Sequence, residues 1–158
     1  MKSLNQSPLI LPENLKPTAS KLPAAEHEFR NEFGKIYCKV SYLSAPHVIV
    51  AEWHGYSTKT QVEPVMNWIA EWCEKNTCTT LVNDCSNIKS VWFDTIEWFS
   101  RIWVQKMKQL GLQNFIHVAN PGSFGDRIGE RLQSMLSDQV QFLRVGLRAD
   151  VMNWLENR

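Results

Sequence analysis

Three side chains of this sequence are of the types that form a nucleophile and its general base, namely His54, His117 and Cys85. Nothing in their spacing brings them together, and an isolated histidine more often has a structural role. We therefore predict no catalytic residues and no enzymatic activity.

The cysteines do not form a metal-binding or redox motif. Their positions, 38, 73, 78 and 85, match neither a zinc ribbon nor a CxxC pair, and a site built from the last three would need a fourth ligand. The segment Asn120–Gly125 lacks GxxxxGK[ST] and GxGxxG, so we interpret it as a turn with an exposed Phe124 rather than a nucleotide loop. The sequence thus predicts reduced thiols, a cytoplasmic location, no metal and no cofactor.

A polar segment, Asp84–Ser90, follows the apolar run Thr79–Asn83 and precedes a helix. A hydroxyl group just ahead of a helix N-terminus suits phosphorylation or anion binding, because the helix end favours negative charge. Ser86 and Ser90 are the candidate phosphoacceptors. The other interpretation is turn chemistry, in which these polar side chains satisfy the loop backbone.

Trp92 and Phe93 are adjacent, and two large aromatic side chains in a row cannot both enter a one-sided core. Asp94 and Glu97 have the spacing of a capping box, which predicts a helix from Thr95 with Phe93 at its hydrophobic staple. Trp92 then faces solvent or a partner, or packs in the core. The predicted contact surface comprises Asp84, Ser86, Asn87, Ser90, Trp92 and Phe93.

Hydrophobic periodicity predicts the elements around this segment. Alternation over Lys35–Leu43 and the β-rich run His47–Trp53 indicate an antiparallel hairpin. Helical spacing follows at Lys59–Lys75, and strands then alternate with helices to the end of the sequence. We predict an α/β fold with a mixed, mostly parallel sheet in the order β-β-α-β-α-β-α-β-α.

Length and composition bound the classes of protein. The 158 residues predict one domain, 28–158, preceded by a flexible proline-rich arm, 1–27, whose segment Leu9–Leu11 could clip onto the domain. The net charge of +1 gives no argument for nucleic acid. No apolar run reaches the roughly 20 residues of a membrane span, and the first residues lack a signal-peptide pattern.

The pattern resembles bacterial STAS-like domains, the relatives of anti-sigma-factor antagonists, including an uncharacterised Bacteroidetes-type group. The resemblance covers about 35–155 and rests on Trp53–Tyr56, the strand end Asn83–Asp84, Leu110–Leu112 and Ala149–Leu155. It implies a non-enzymatic regulatory domain that binds a protein partner through the loop and helix after the third predicted strand. The phosphorylatable Asp-Ser-Ser-Gly of such antagonists is replaced here by Asp84–Asn87.

A second function is left open by the seven tryptophans. They could line a pocket between the first two predicted helices for a small apolar ligand or lipid, a possibility that the fold of related STAS-like proteins also suggests. A homodimer is left open as well.

Overall fold

The structure, a computed structural model, describes residues 25–157, apart from the side chains of Met152 and Glu156. These residues form six strands and four helices: β1 (Ala25–Arg30), β2 (Ile36–Leu43), β3 (Val48–Gly55), α1 (Lys59–Lys75), β4 (Thr80–Ile88), α2 (Ile96–Trp98, then a π-helical turn Phe99–Trp103, then Val104–Gln109), β5 (Asn114–Val118), α3 (Phe124–Leu136), β6 (Gln141–Val145) and α4 (Arg148–Glu156).

One mixed sheet carries all six strands, in the spatial order β1-β2-β3-β4-β5-β6. The pairs β1–β2 and β2–β3 are antiparallel, and the pairs from β3 to β6 are parallel. Each parallel crossover moves one strand in the same direction, so α1, α2 and α3 lie on one face of the sheet. The α/β fold and the antiparallel N-terminal hairpin are confirmed.

The two faces of the sheet differ in what covers them. Leu81 and Phe115 belong to the large core beneath the first three helices. Val82 and Ile116, which point to the other face, pack instead with Val151 of α4. The alternation along each parallel strand therefore divides the apolar residues between two cores, as expected for a sheet that is buried on both sides.

The strand β1 is an element that the sequence prediction missed. It occupies Ala25–Arg30, so the predicted boundary between arm and domain falls inside it, and the rest of the arm lies outside the described residues. Only Ala25 and Phe29 are packed against the core, which leaves no periodic apolar signal. His27 holds the edge by stacking on Trp68 of α1, with 5.1 Å between ring centroids.

The predicted start of α2 was nearly right, but the cap was wrong. Thr95 is the N-cap, the helix begins at Ile96, and no side chain caps it. Phe93 was predicted to form the hydrophobic staple at the start of this helix. Its ring instead lies against the guanidinium group of Arg131 in α3. The inward face of α2 is apolar: Ile96, Phe99, Trp103 and Met107 are buried, and Leu110 just after the helix is half-buried.

Two glycines let α3 approach the sheet closely. A Cβ at Gly125 would lie 2.3 Å from the carbonyl oxygen of Cys85, and one at Gly129 would lie 2.5 Å from the ring of His117. Neither distance is sterically allowed, so the helix can occupy this position only with glycine on its inner face. The first obstacle is backbone, which cannot move aside as a flexible side chain can.

Gly125→Ala is therefore expected to lower the free energy of unfolding by about 3 kcal/mol, the upper part of the range for overpacking. Urea denaturation measures the change. Gly146→Ala is the matched control: its nearest neighbour would be 3.9 Å away, at Pro121, and we expect a change within about 0.5 kcal/mol. Equal effects of the two substitutions would contradict the close approach of α3.

Candidate interaction surface

The predicted loop Asp84–Ser90 is largely strand. Its residues continue β4 as far as Ile88, because the ladder with β3 extends to the pairs His54–Asn87 and Gly55–Ile88. The amide of Lys89 adds a hydrogen bond to the carbonyl oxygen of Gly55 at 2.7 Å. The polar composition of the segment pointed to a loop, whereas backbone pairing to a long neighbouring strand decides its structure.

The side chain of Asp84 forms contacts within the fold, and the residue is only 5% exposed. Its Oδ1 accepts a hydrogen bond from the amide of Ser86 at 3.0 Å. Its Oδ2 lies 3.5 Å from Arg148, which also forms a 2.6 Å ion pair with Glu52. These contacts fasten the first turn of α4 to the sheet. Asp84 is therefore engaged within the fold, and its role as a contact residue stays a prediction.

Ser90 and Trp92 connect two neighbouring loops. The Oγ of Ser90 accepts from the amide of Ser57 at 3.1 Å and donates to its carbonyl oxygen at 3.2 Å. The indole N–H of Trp92 donates to the Oγ of Ser57, also at 3.2 Å. The Trp92 ring packs edge-on against Trp53 and is 1% exposed. Of the two interpretations of Trp92, the structure shows packing in the core, and the residue offers a partner almost no surface.

Ser86 and Asn87 lie at the end of β4, half-buried and exposed respectively. Phosphorylation of Ser86 stays a prediction. Ser90 is half-buried as well, and its hydroxyl group already bonds the Ser57 backbone.

A buried hydrogen-bonded chain crosses the centre of the sheet on the side of the first three helices. The indole N–H of Trp53 donates to the Oδ1 of Asn83 at 2.8 Å, and the Nδ2 of Asn83 lies 3.2 Å from the Nδ1 of His117. The Nε2 of His117 is 2.7 Å from the carbonyl oxygen of Gly125. These partners assign the neutral tautomer with the proton on Nε2, since both neighbouring groups are then satisfied.

This chain also brings together two of the residues considered for catalysis. Asn83 bonds both His117 and, at 3.5 Å, the sulfur of Cys85, while His54 lies apart and faces Glu52. Burial raises the pKa of the Cys85 thiol and lowers the pKa of His117 to about 4. Both groups are therefore neutral at physiological pH and are enclosed by the core. The arrangement orders the fold and gives a substrate no access.

The depressed pKa of His117 makes stability depend on pH. The unfolded chain binds a proton near the ordinary pKa of about 6.5, whereas the folded chain resists protonation until about pH 4. Stability is thus complete above pH 6.5 and falls as the pH drops toward 4, by about 3 kcal/mol in total. Urea unfolding of the wild-type protein at pH 7 and pH 5 should show this loss.

His117→Gln is the comparison, and its stability should change less between the same two pH values. The His117 ring resonances of the wild-type protein give an independent measurement, because His117 should titrate well below the ordinary histidine pKa of about 6.5. A His117 ring that titrates near pH 6.5 would contradict the buried chain.

The four cysteine thiols are buried in the protein core, as His117 is. All four cysteines are free and buried. Burial raises the pKa of Cys38 and Cys85, and a hydrogen bond to the Cys78 thiol raises the pKa of Cys73. Between residues 25 and 157 no three metal-ligating side chains come together.

We expect the native protein to react very slowly with dithionitrobenzoate at pH 7.5, because reaction requires an accessible thiolate. The unfolded protein in urea should react fully and at once. A thiol that reacts within seconds in the native protein would show an access route to the core that the packing excludes.

Large exposed apolar side chains are distributed unevenly over the two ends of the sheet. At the end where β1 and β3–β6 terminate, four of the five connections present one such side chain, and the first residue of α3 adds a fifth: Phe33, Tyr56, Phe93, Leu147 and Phe124. Among the described residues, the connections at the opposite end present none, although Met135 in the last turn of α3 is 36% exposed. We call these five residues the carboxyl-end surface.

The carboxyl-end surface includes one residue of the predicted contact set, Phe93, which is 40% exposed. The predicted exposure of Phe124 is also confirmed. Phe33, Tyr56 and Leu147 were not predicted as contact residues. A signal for them does exist in the sequence, since each lies next to a glycine or within two residues of one, in a connection with no other large apolar residue.

Two of these aromatic rings are paired with arginines of α3. The guanidinium carbon of Arg131 lies 4.2 Å from the centroid of the Phe93 ring, and that of Arg127 lies 5.9 Å from the centroid of Phe124. Because Arg127 and Arg131 are four residues apart, they occupy one face of the helix. The two pairs therefore form a continuous strip of aromatic and cationic groups.

The space between α1 and α2 is filled. Trp53, Trp92 and Trp103 are buried there, and the indole N–H of Trp103 donates to the carbonyl oxygen of Met66 at 2.7 Å. Beside this core, an open groove of about 210 Å³ runs between Lys59 and α2 and is lined mostly by charged side chains. These three tryptophans thus supply core volume, and the apolar ligand pocket stays a prediction.

Comparison with known proteins adds no family to this picture. No protein-family model matches the chain, and no curated protein matches it. The STAS-like resemblance therefore stays a prediction from the residues given above. Within residues 25–157, no helix has the length and apolar character to cross a membrane.

Proposed function

We propose that this protein is a non-enzymatic regulatory domain that binds a protein partner through its carboxyl-end surface. The observation that carries the proposal is the placement of exposed apolar side chains in four of the five connections at one end of the sheet, with Phe124 at the start of α3 beside them, and in none of the described connections at the other end. Removing apolar side chains from water is energetically favourable. Their concentration at one end of the sheet therefore favours a surface that a partner covers.

The residue types support protein binding in particular. Aromatic residues and arginine are enriched at the centres of protein interfaces and dominate their binding energy. The strip of Phe93, Arg131, Arg127 and Phe124 has this composition, and it lies on α3 and on the connection after β4. Loops at the carboxyl ends of parallel strands are also where α/β proteins usually bind their ligands.

The buried polar residues support a non-enzymatic role. His117, Cys85 and Asn83 satisfy one another within the core, and Asp84 is occupied by Arg148. An active site needs polar groups that converge on a cavity where a substrate can enter. These four residues are used to hold the sheet, α3 and α4 together.

The proposal predicts that Phe93→Ser with Phe124→Ser removes a bound partner without unfolding the domain. Tagged wild-type and variant proteins are used to purify partners from the source cells, and the captured proteins are quantified by mass spectrometry. A true partner should fall by at least about tenfold with the double variant, since two interface aromatics each contribute more than 1 kcal/mol.

Ile102→Ser is the matched control, because Ile102 is 60% exposed but lies in the middle of α2. It should leave the captured set unchanged. Circular dichroism melts of all three proteins establish that the fold is retained. A captured set that is identical for the wild-type protein and the double variant would refute the carboxyl-end surface as the binding site, as would equal losses with the control.

A further inference from the structure

We propose that the partner presents an acidic, carboxylate-rich segment to Arg127 and Arg131. This inference rests on the proposed function and names the chemistry that the carboxyl-end surface recognises. It starts from the distribution of ion pairs over the arginines, which separates these two from all the others in the described part of the chain.

Each of the other four arginines of residues 25–157 is paired with a carboxylate. Arg30 pairs with Glu28, Arg101 with Glu97, Arg144 with Asp126, and Arg148 with Glu52 and Asp84, the shortest distances being between 2.6 and 3.5 Å. Arg127 and Arg131 have no carboxylate of the described residues within 4.0 Å, although both are exposed. Their charge is therefore uncompensated at the carboxyl-end surface.

The aromatic rings hold these two guanidinium groups in a form suited to carboxylates. A guanidinium group near an aromatic face, as Arg131 is 4.2 Å from the Phe93 centroid, keeps its N–H donors at its edge. Those donors match the two oxygens of a carboxylate, and stacking reduces the conformational entropy that binding would otherwise cost. The adjacent exposed rings then contact the apolar side chains of the same segment.

The helix N-terminus nearby is already satisfied and does not compete for the segment. The Oγ of Ser123 accepts from the amide of Asp126 at 3.2 Å, and the Asp126 carboxylate accepts from the amide of Gly122 at 2.8 Å. Asp126 also pairs with Arg144, which directs that carboxylate away from the other two arginines. The cationic groups that remain available at this end of α3 are the side chains of Arg127 and Arg131.

The test uses a short fluorescein-labelled peptide of glutamate and leucine, with fluorescence anisotropy at low salt as the readout. The wild-type protein should bind it, and binding should weaken as salt is added. Arg127→Gln and Arg131→Gln should each weaken binding by roughly tenfold, the effect of losing a hydrogen bond to a charged group. Arg101→Gln, an exposed arginine on α2, should leave binding unchanged.

Three further probes define the specificity. Peptides with glutamine or lysine in place of glutamate should not bind. A phosphoserine peptide or single-stranded RNA that binds while the glutamate peptide does not would overturn the proposal of a carboxylate-rich partner. Equal losses with Arg101→Gln would overturn it too, because the effect would then be one of net charge.

The outcome is separable from that of the proposed function. If Phe93→Ser with Phe124→Ser removes a cellular partner while Arg127→Gln with Arg131→Gln does not, the surface binds a partner but not through acidic groups. If neither double variant affects any captured protein, both proposals fail.

Discussion

The hydrogen-bonded chain from Trp53 through Asn83 and His117 to the carbonyl oxygen of Gly125 is the interaction on which the rest of this structure depends. It links β3, β4, β5 and α3 at the centre of the sheet. Each buried polar group in it has a partner, and a buried polar group without one would cost roughly 1–3 kcal/mol. The chain therefore fixes the position of α3 over the sheet more narrowly than apolar packing alone would.

That position is the reason for the glycines of α3 and for the surface beyond them. Because Gly125 and Gly129 carry no side chain, the helix can lie close enough for His117 to reach its backbone. The same placement brings Arg131 over Phe93 in the connection after β4. The buried polar chain and the exposed aromatic strip are thus two sides of one helix, and a disturbance of the first would displace the second.

Hydrophobic periodicity in the sequence was sufficient to predict the helices and strands that bury one regular face. The predicted bounds of α1, Lys59–Lys75, agree with the structure, and the mixed sheet follows from the alternation of elements. Periodicity was insufficient where the backbone pairing of strands, rather than the amino-acid composition of the segment, determines the structure. The residues Asp84–Asn87 have turn chemistry but lie beside the end of β3, so they continue a strand. The strand β1 has two inward residues and is held by a ring stack on Trp68, a contact that the sequence does not show.

At the candidate site, too, some features can be predicted from neighbouring residues, whereas others depend on contacts between residues distant in the sequence. Exposure of Phe93 and Phe124 could be inferred from their places before helices, but the burial of Trp92 could not, because it depends on Ser57, thirty-five residues away. The asymmetry between the two ends of the sheet is also invisible in the sequence, since it emerges only when β1 is placed parallel to β3 and the β1–β2 turn joins the other four connections. A surface assembled from five separate segments has no contiguous motif.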